Sequence, residues 1–407
     1  MADQMNFSRK RILLICQVMP AESGSGVAMR LYNWAQALSA ENDLTILLVS
    51  QEYVNADDSI GRLNAKLIRH DNQKLPAVSN KLNNIFLPEM FRKWDVNKLT
   101  SSLREFESQN FDVVVVSRLR LTPVWNILKN KLHVSSKKSI IDFDDIESLA
   151  LWRQLRGEYK NKNFGQILWT ARECIKLYFA EMGANRLFDC VVTCSQADVN
   201  KLKRGWFIAN STYIPNCVRA ANIRPSSLPE DKPNILFVGT LSYAPNEQGI
   251  KWFINEAWKP IKEALNNQEI KPSLTIVGKN PTSWMKEINQ VDSISVYGNV
   301  DSVSPFYESA TIVICPIFQG GGTRIKILEA FAHTRAVVST TLGAEGIDVM
   351  DNESIMLANT ASEFVAAITE LIEDRVKLAA VEEKAFDLFI DKYSFKSFMK
   401  HVSKLII

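Results

Sequence analysis

The chain has 407 residues, 46% of them hydrophobic and 23% charged. That balance belongs to a globular protein and excludes a disordered chain, a fibrous repeat or a disulfide-stapled miniature domain. Lys and Arg total 48 against 45 Asp and Glu, a formal +3 that calls for no nucleic acid or other polyanionic partner.

Arg9-Lys10-Arg11 precedes the apolar run Ile12–Cys16. This imitates an export signal, but the run is too short for one and reads as a first strand, so the expected address is the cytoplasm. Apolar runs such as Val113–Val116 fall far short of the ~20 residues that span a bilayer. Gly24-Ser25-Gly26 follows as a weak dinucleotide fingerprint without its third glycine, leaving Gly26 as a donor-binding candidate. The amphipathic segment Ala28–Ala40 predicts a helix, and Leu44–Val49 a second strand. Between Arg62 and Arg104, nine Lys/Arg stand against three Asp/Glu. That excess suits either a solvated surface or a face meeting anionic lipid or an anionic acceptor, as at the inner face of a membrane.

Strands are next expected at Val113–Ser117, Ser139–Asp142 and Val191–Cys194. They are continuously apolar rather than alternating, as a parallel sheet covered on both faces requires. Asp142-Phe143-Asp144-Asp145 ends one of them. Asp144 and Asp145 can orient an acceptor hydroxyl or take its proton, or Asp145 with Glu147 can open a helix. Leu149–Ala180 carries Trp152, Arg153, Arg156, Trp169, Arg172 and Lys176 at helical intervals. This pattern matches a core helix with a basic outer face, or a membrane-interface helix near a lipid-linked acceptor. Cysteines at 16, 174, 190, 194, 217 and 315 form no CxxC or metal pattern, which predicts reduced thiols and no metal site. His133 and His333 likewise lack a ligand pattern.

Cys217–Pro233, with prolines at 225, 229 and 233, reads as an interdomain linker. A second series of strands then follows at Ile235–Val238, Leu274–Val277, Ile294–Val296, Ile312–Cys315 and Ala336–Ser339, with a helix over Gly249–Leu265. The expected organisation is a first domain over 1–219, a linker over 220–233, a second domain over 234–392 and a terminal helix over 393–407. In that helix Phe395, Phe398, Met399 and Val402 recur at helical spacing, and it is expected to pack back toward the first domain. The class is α/β: two doubly wound Rossmann-like domains with ligands at the carboxyl ends of their strands.

The most informative segment is Gly320-Gly321-Gly322-Thr323-Arg324-Ile325-Lys326, which follows strand Ile312–Cys315 and enters a helix. Glycines let a ligand approach the backbone, and the helix start offers unpaired N–H groups. Arg324 and Lys326 oppose the helix dipole unless an anion sits there too. Glu329, one turn deeper, is placed to take the hydroxyls of a ribose. The spacing is not that of a Walker loop.

Gly320–Ala332 with Ala336–Gly346 resembles the retaining glycosyltransferases of family 4, which have the GT-B fold. Phe237-Val238-Gly239 with Pro245-Asn246, Ile276-Val277-Gly278-Lys279-Asn280-Pro281 and Val296-Tyr297-Gly298-Asn299-Val300 occur in the family's order. Val192-Thr193-Cys194-Ser195 and Ile214-Pro215-Asn216 extend the resemblance into the first domain. It implies two domains facing a central cleft and no cofactor, with a UDP- or GDP-linked sugar as donor and a glycan or lipid-linked acceptor. It further implies retention of configuration, no obligatory metal and a place in exopolysaccharide or lipopolysaccharide assembly. The donor set is then Gly26, Gly239, Lys279, Asn299, Val300, Gly320, Gly321, Gly322, Thr323 and Glu329. Two departures stand out. Gly321 occupies the position of the first of two family glutamates, and Thr240–Asn246 lacks the family's Arg and Lys. Arg324 and Lys326 are therefore expected to take the diphosphate charge. A non-catalytic sugar-nucleotide-binding or regulatory protein on the same scaffold is the alternative, and an epimerase the third class.

Overall fold

The structure, a computed structural model, describes residues 9–22, 24–50, 60–71, 87–94, 96–157, 164–219, 232–266 and 269–407. Two compact units emerge, Met1–Pro215 with Phe398–Ile407, and Asn216–Ser397. Most of the Cys217–Pro233 segment and part of the basic stretch after Arg62 lie outside the described residues.

The first unit runs β1 (Arg11–Cys16), α1 (Gly26–Ser39), β2 (Asp43–Ser50), β3 (Ala65–Asp71), α2 (Val96–Ser102), β4 (Asn110–Ser117) and α3 (Thr122–Asn130). It continues with β5 (Ser135–Asp144), α4 (Glu147–Gly157), α5 (Phe164–Leu187), β6 (Cys190–Thr193), α6 (Gln196–Gly205) and β7 (Ser211–Tyr213). Its strands are all parallel, in the order β3-β2-β1-β4-β5-β6-β7. Leu13, Ile15, Val114, Val116 and Ile141 are buried in one core cluster with Trp125 and Phe143, and the alternate residues Ile12, Leu14, Val113, Val115 and Ile140 are buried as well, so both faces of the sheet are covered.

The second unit runs β8 (Asn234–Val238), α7 (Ala244–Phe253), α8 (Lys259–Asn266), β9 (Ser273–Gly278), α9 (Ser283–Glu287), β10 (Ile294–Gly298), α10 (Ser304–Ser309) and β11 (Ile312–Cys315). Then come α11 (Ile325–Ala332), β12 (Ala336–Ser339), β13 (Met356–Leu357), α12 (Ala361–Glu373) and α13 (Arg375–Leu388). Its parallel sheet is ordered β10-β9-β8-β11-β12-β13. Counted from β8 this is 3-2-1-4-5-6, the order of dinucleotide-binding Rossmann sheets, with its switch point between β8 and β11.

The ten strands read from the sequence are present, and among the described residues three others join them: β3, β7 and β13, each at a sheet edge. The single helix expected over Gly249–Leu265 is two helices joined by a π turn at Ile254–Trp258. Pro260, just beyond, has no N–H for the carbonyl of Glu256, and the wider turn absorbs that missing bond.

The last helix, α14 (Phe395–Ile406), buries Phe398, Val402 and Ile406, while Met399 faces outward. Phe398 and Val402 of the expected stripe are thus buried and Phe395 half-buried, while Ile406 rather than Met399 completes the inward face. In the first unit Phe398 meets Trp34 edge to face with ring centroids 5.8 Å apart, and Lys10 Nζ donates to Ile406 O at 2.7 Å. Truncating a buried phenylalanine of this kind costs ~3–5 kcal/mol.

Candidate active site

At the switch point of the second unit, the loops after β8 and β11 diverge. The backbone turn after β8 packs tightly on the end of β9. Gly239 N donates to Val277 O at 3.0 Å, and Leu241 N to Lys279 O at 2.8 Å. A Cβ on Gly278 would lie 1.6 Å from Gly239 O, so only glycine permits this approach. Asn299 N donates to Gly278 O, and Asn299 Oδ1 accepts from Asn280 N at 3.0 Å, which ties the loops after β9 and β10 together. Lys279 and Asn299 are exposed and Val300 is half-buried at this rim.

The loop after β11 turns through Gly320 and Gly322, with φ of 99° and 75°, values that favour glycine; Gly321 has no positive φ. Arg324 is the N-cap of α11 but supplies no side-chain cap. Its guanidinium folds back instead, donating to Gly321 O, to Gly322 O at 2.7 Å and to Gln319 O at 3.4 Å. Arg324 therefore braces the glycine loop. Thr323 lies half-buried in the same loop.

Lys326 points inward from the first turn of α11. Its Nζ donates to Asn246 Oδ1 at 2.9 Å and lies 4.0 Å from the centroid of the Phe237 ring. Asn246 Nδ2 in turn donates to Thr240 O at 2.9 Å. A Cβ on Gly239 would be 3.0 Å from Lys326 Nζ. The ammonium thus crosses the switch point and sits beside the turn after β8, where a side chain at position 239 would displace it. Burial lowers its pKa from the ordinary 10.5 to about 8. A buried cation whose hydrogen-bonded partner is a neutral amide can receive an anion without breaking an ion pair.

Glu329 accepts from Tyr307 Oη at 2.9 Å through Oε2, and burial raises its pKa. Tyr307 is fully buried, and His333 stacks on it with ring centroids 5.2 Å apart. Glu329 Oε1 has no hydrogen-bond partner among the described residues. The site therefore combines an anion-binding loop, a cation across it and a carboxylate one turn deeper. Asn246 and Tyr307 are the residues sequence reasoning did not assign. Asn246 was visible in the Pro245-Asn246 pair, whereas Tyr307 lies on α10, a six-residue helix without a clear pattern.

At the equivalent edge of the first unit the charges are already paired. Arg30 binds Asp142 in a fork, with Nε and Nη2 each 2.7 Å from a carboxylate oxygen, and Trp34 Nε1 adds a third bond at 2.9 Å. Asp144 forms an ion pair with Arg118 and accepts from Cys194 Sγ at 3.1 Å. Both Arg118 and Asp144 have positive φ, at 72° and 60°. Burial opposes the Asp144 carboxylate, but Arg118 and Arg30 outweigh it and hold its pKa below the ordinary value. A carboxylate so stabilised is a poor proton acceptor. Asp145 is half-buried two residues before α4, which opens at Glu147. Gly26 is the first residue of α1, whose N-cap Ser25 accepts from Ala28 N at 3.2 Å. Among the described residues, no grouping of three His, Cys, Asp or Glu is placed to hold a metal ion.

Residues 232–374 match the family model of Glycosyl transferases group 1. A protein of Klebsiella pneumoniae, described as an uncharacterized 44.6 kDa protein in the cps region, is 25% identical over 347 residues, or 82% of this chain and 83% of that one. Among solved structures, Anabaena HepE in complex with UDP and glucose aligns with a TM-score of 0.63 and 15% identity over 98% of this chain and 99% of its own. Sucrose-phosphate synthase from Thermosynechococcus elongatus aligns at 0.69 and 14%, over 97% and 98%. The fold is GT-B, and the second unit carries a glycosyltransferase-type domain.

Proposed function

We propose that the protein transfers a sugar from a nucleotide-diphosphate donor to a hydroxyl of a glycan or lipid-linked acceptor. The observation that carries this reading is Lys326, held by Asn246 across the switch point beside the uncapped glycine loop. The family that these motifs resemble carries an Arg and a Lys in the turn after the first strand of its second domain, which Thr240–Asn246 lacks. Here α11 delivers a cation to the same turn from another element. As the glycosidic bond breaks, the leaving diphosphate gains negative charge. Lys326 and the loop N–H groups are fixed donors for it, with Arg324 holding the loop in shape. Glu329, oriented by Tyr307, takes the ribose hydroxyls, and the rim from Lys279 to Val300 holds the base.

Retention of configuration follows from the motif resemblance and needs no protein nucleophile if attack comes on the face the diphosphate leaves. Metal independence follows from assigning the leaving-group charge to Lys326 and the helix start. UDP is the first nucleotide to test, because HepE was solved with UDP and glucose. The cps-region relative favours an acceptor in surface-polysaccharide assembly. The deciding experiment titrates UDP, GDP and ADP by calorimetry and then follows turnover of the matching sugar nucleotides with and without EDTA, reading the product anomer by NMR. Failure of all three nucleotides to bind refutes the reading. Binding without turnover on any acceptor favours the non-catalytic alternative, which the absent side chain at Gly321 permits.

A further inference from the structure

Helix α5 carries large apolar side chains on its outer side. Leu168, Ile175 and Phe179 stand seven and four residues apart, which keeps them on one helical face, and they are 61%, 58% and 64% exposed. Trp169 is exposed beside them. A soluble surface rarely leaves such a stripe uncovered without an occupant.

The same face has a definite charge. The helix contains two acidic residues, Glu173 and Glu181, and both are buried. Glu181 accepts from Ser148 N at 2.9 Å and from Trp206 Nε1 at 2.8 Å, which ties α5 to α4 and to the end of α6. The charged residues at exposed positions of α5 are Arg172 and Arg186. Tyr178 Oη donates to Gly205 O at 2.8 Å, so the last turn of α6 lies alongside and adds exposed Lys203 and Arg204. Just beyond, Phe207 has a φ of 56° and is 70% exposed. The left-handed region is a strained backbone conformation for an aromatic residue. Here that backbone turns an apolar ring outward rather than into the core.

We infer that the α5 face together with Lys203, Arg204 and Phe207 is a docking surface for an anionic lipid bilayer. Charge complementarity selects this occupant. Two copies of the face paired about a two-fold axis would set its basic residues against each other, whereas apolar and aromatic side chains flanked by Lys and Arg match an acyl boundary beneath anionic headgroups. The surface lies in the first unit, on elements that follow β5 in the chain. The docking stands independently of the donor reading, since neither Lys326 nor Glu329 takes part.

The test is co-sedimentation of the full chain, without nucleotide, with vesicles of phosphatidylcholine alone and with added phosphatidylglycerol, at low and high salt. One variant replaces Ile175, Phe179 and Phe207 with Ser; a second carries Lys203→Glu and Arg204→Glu. Melting curves establish that both remain folded. The wild type should pellet with the anionic vesicles and be released by salt, and each variant should partition about ten-fold less or worse. Equal partitioning of wild type and variants, or none, overturns the proposal. A wild-type dimer that both variants dissociate, without vesicle binding, overturns it in favour of a second copy as occupant.

Discussion

Lys326→Met separates the proposed site from ordinary structural roles, because stability and binding should move in opposite directions. Methionine keeps an apolar stem against Phe237 and removes the buried cation. The pKa drop from 10.5 to about 8, at ~1.4 kcal/mol per unit, corresponds to on the order of 3 kcal/mol working against the folded state. The sign follows from linkage. Between pH 8 and 10.5 the unfolded chain holds a proton that the folded chain has lost, so wild-type stability rises with pH across that window. Below it both states are protonated and the penalty is complete. The variant should therefore melt no lower than wild type at neutral pH, with any advantage shrinking as pH rises toward 10.5. Nucleotide affinity should nevertheless fall by about 10- to 100-fold, from loss of a charge-assisted contact of ~1.5–3 kcal/mol. Turnover should fall further, by ~10²-fold or more, because the leaving group's charge peaks in the transition state. Calorimetry with UDP, thermal melting and a coupled UDP-release assay give the three readouts. Unchanged UDP affinity and turnover, with the variant folded, would refute the assignment of the diphosphate to Lys326.

Donor binding near pH 8 should take up a fraction of a proton as the diphosphate draws Lys326 back to its charged form, and calorimetry in buffers of different ionisation enthalpy measures this. Glu329→Ala should weaken UDP binding by ~1.5–3 kcal/mol while leaving thymidine diphosphate, which lacks the 2′-hydroxyl, less affected. Tyr307→Phe should cost a smaller ~0.5–1.5 kcal/mol in UDP affinity by releasing the Glu329 carboxylate, with kcat nearly preserved. Asp144→Asn should lower stability by ~3–5 kcal/mol in urea unfolding, since it leaves Arg118 and Arg30 without their shared carboxylate.

The central strands were legible because a parallel sheet buried on both faces demands unbroken apolar runs, and those runs are hard to mistake. Edge strands escape that demand. Ala65–Asp71 alternates and ends in Arg69-His70-Asp71, Ser211–Tyr213 is three residues long, and Met356–Leu357 is a single pair. The glycine loop and Glu329 were legible because they are contiguous along one turn. The partners that give them meaning were not. Asn246 stands 80 residues from Lys326, and Tyr307 22 residues from Glu329. Only the crossing of strands at the switch point brings them together. Arg324 shows the converse: its position along the chain suggested a ligand contact, and its guanidinium turned to the loop carbonyls, which no spacing rule anticipates.

The two sheets treat charge at their carboxyl edges in opposite ways, and the difference bears on which substrate each can hold. In the first unit Arg30 and Arg118 each meet a carboxylate, so a ligand phosphate would compete with Asp142 and Asp144 for cations already paired. Breaking a buried pair costs several kcal/mol, more than a single phosphate contact returns. In the second unit Lys326 is hydrogen-bonded to a neutral amide, and the adjacent loop presents a helix start without a side-chain cap. A diphosphate there relieves an electrostatic penalty instead of adding one. On the proposed function, the donor's charged end is therefore assigned to the second unit, and an uncharged hydroxyl, which asks only for hydrogen bonds, to the first. Releasing the Arg30 cation in the first unit by Asp142→Asn would accordingly not create a second nucleotide site; it would leave buried Arg30 with only the more distant Asp144, 3.8 Å from its Nε, and the expected result is a lower melting temperature with unchanged UDP stoichiometry.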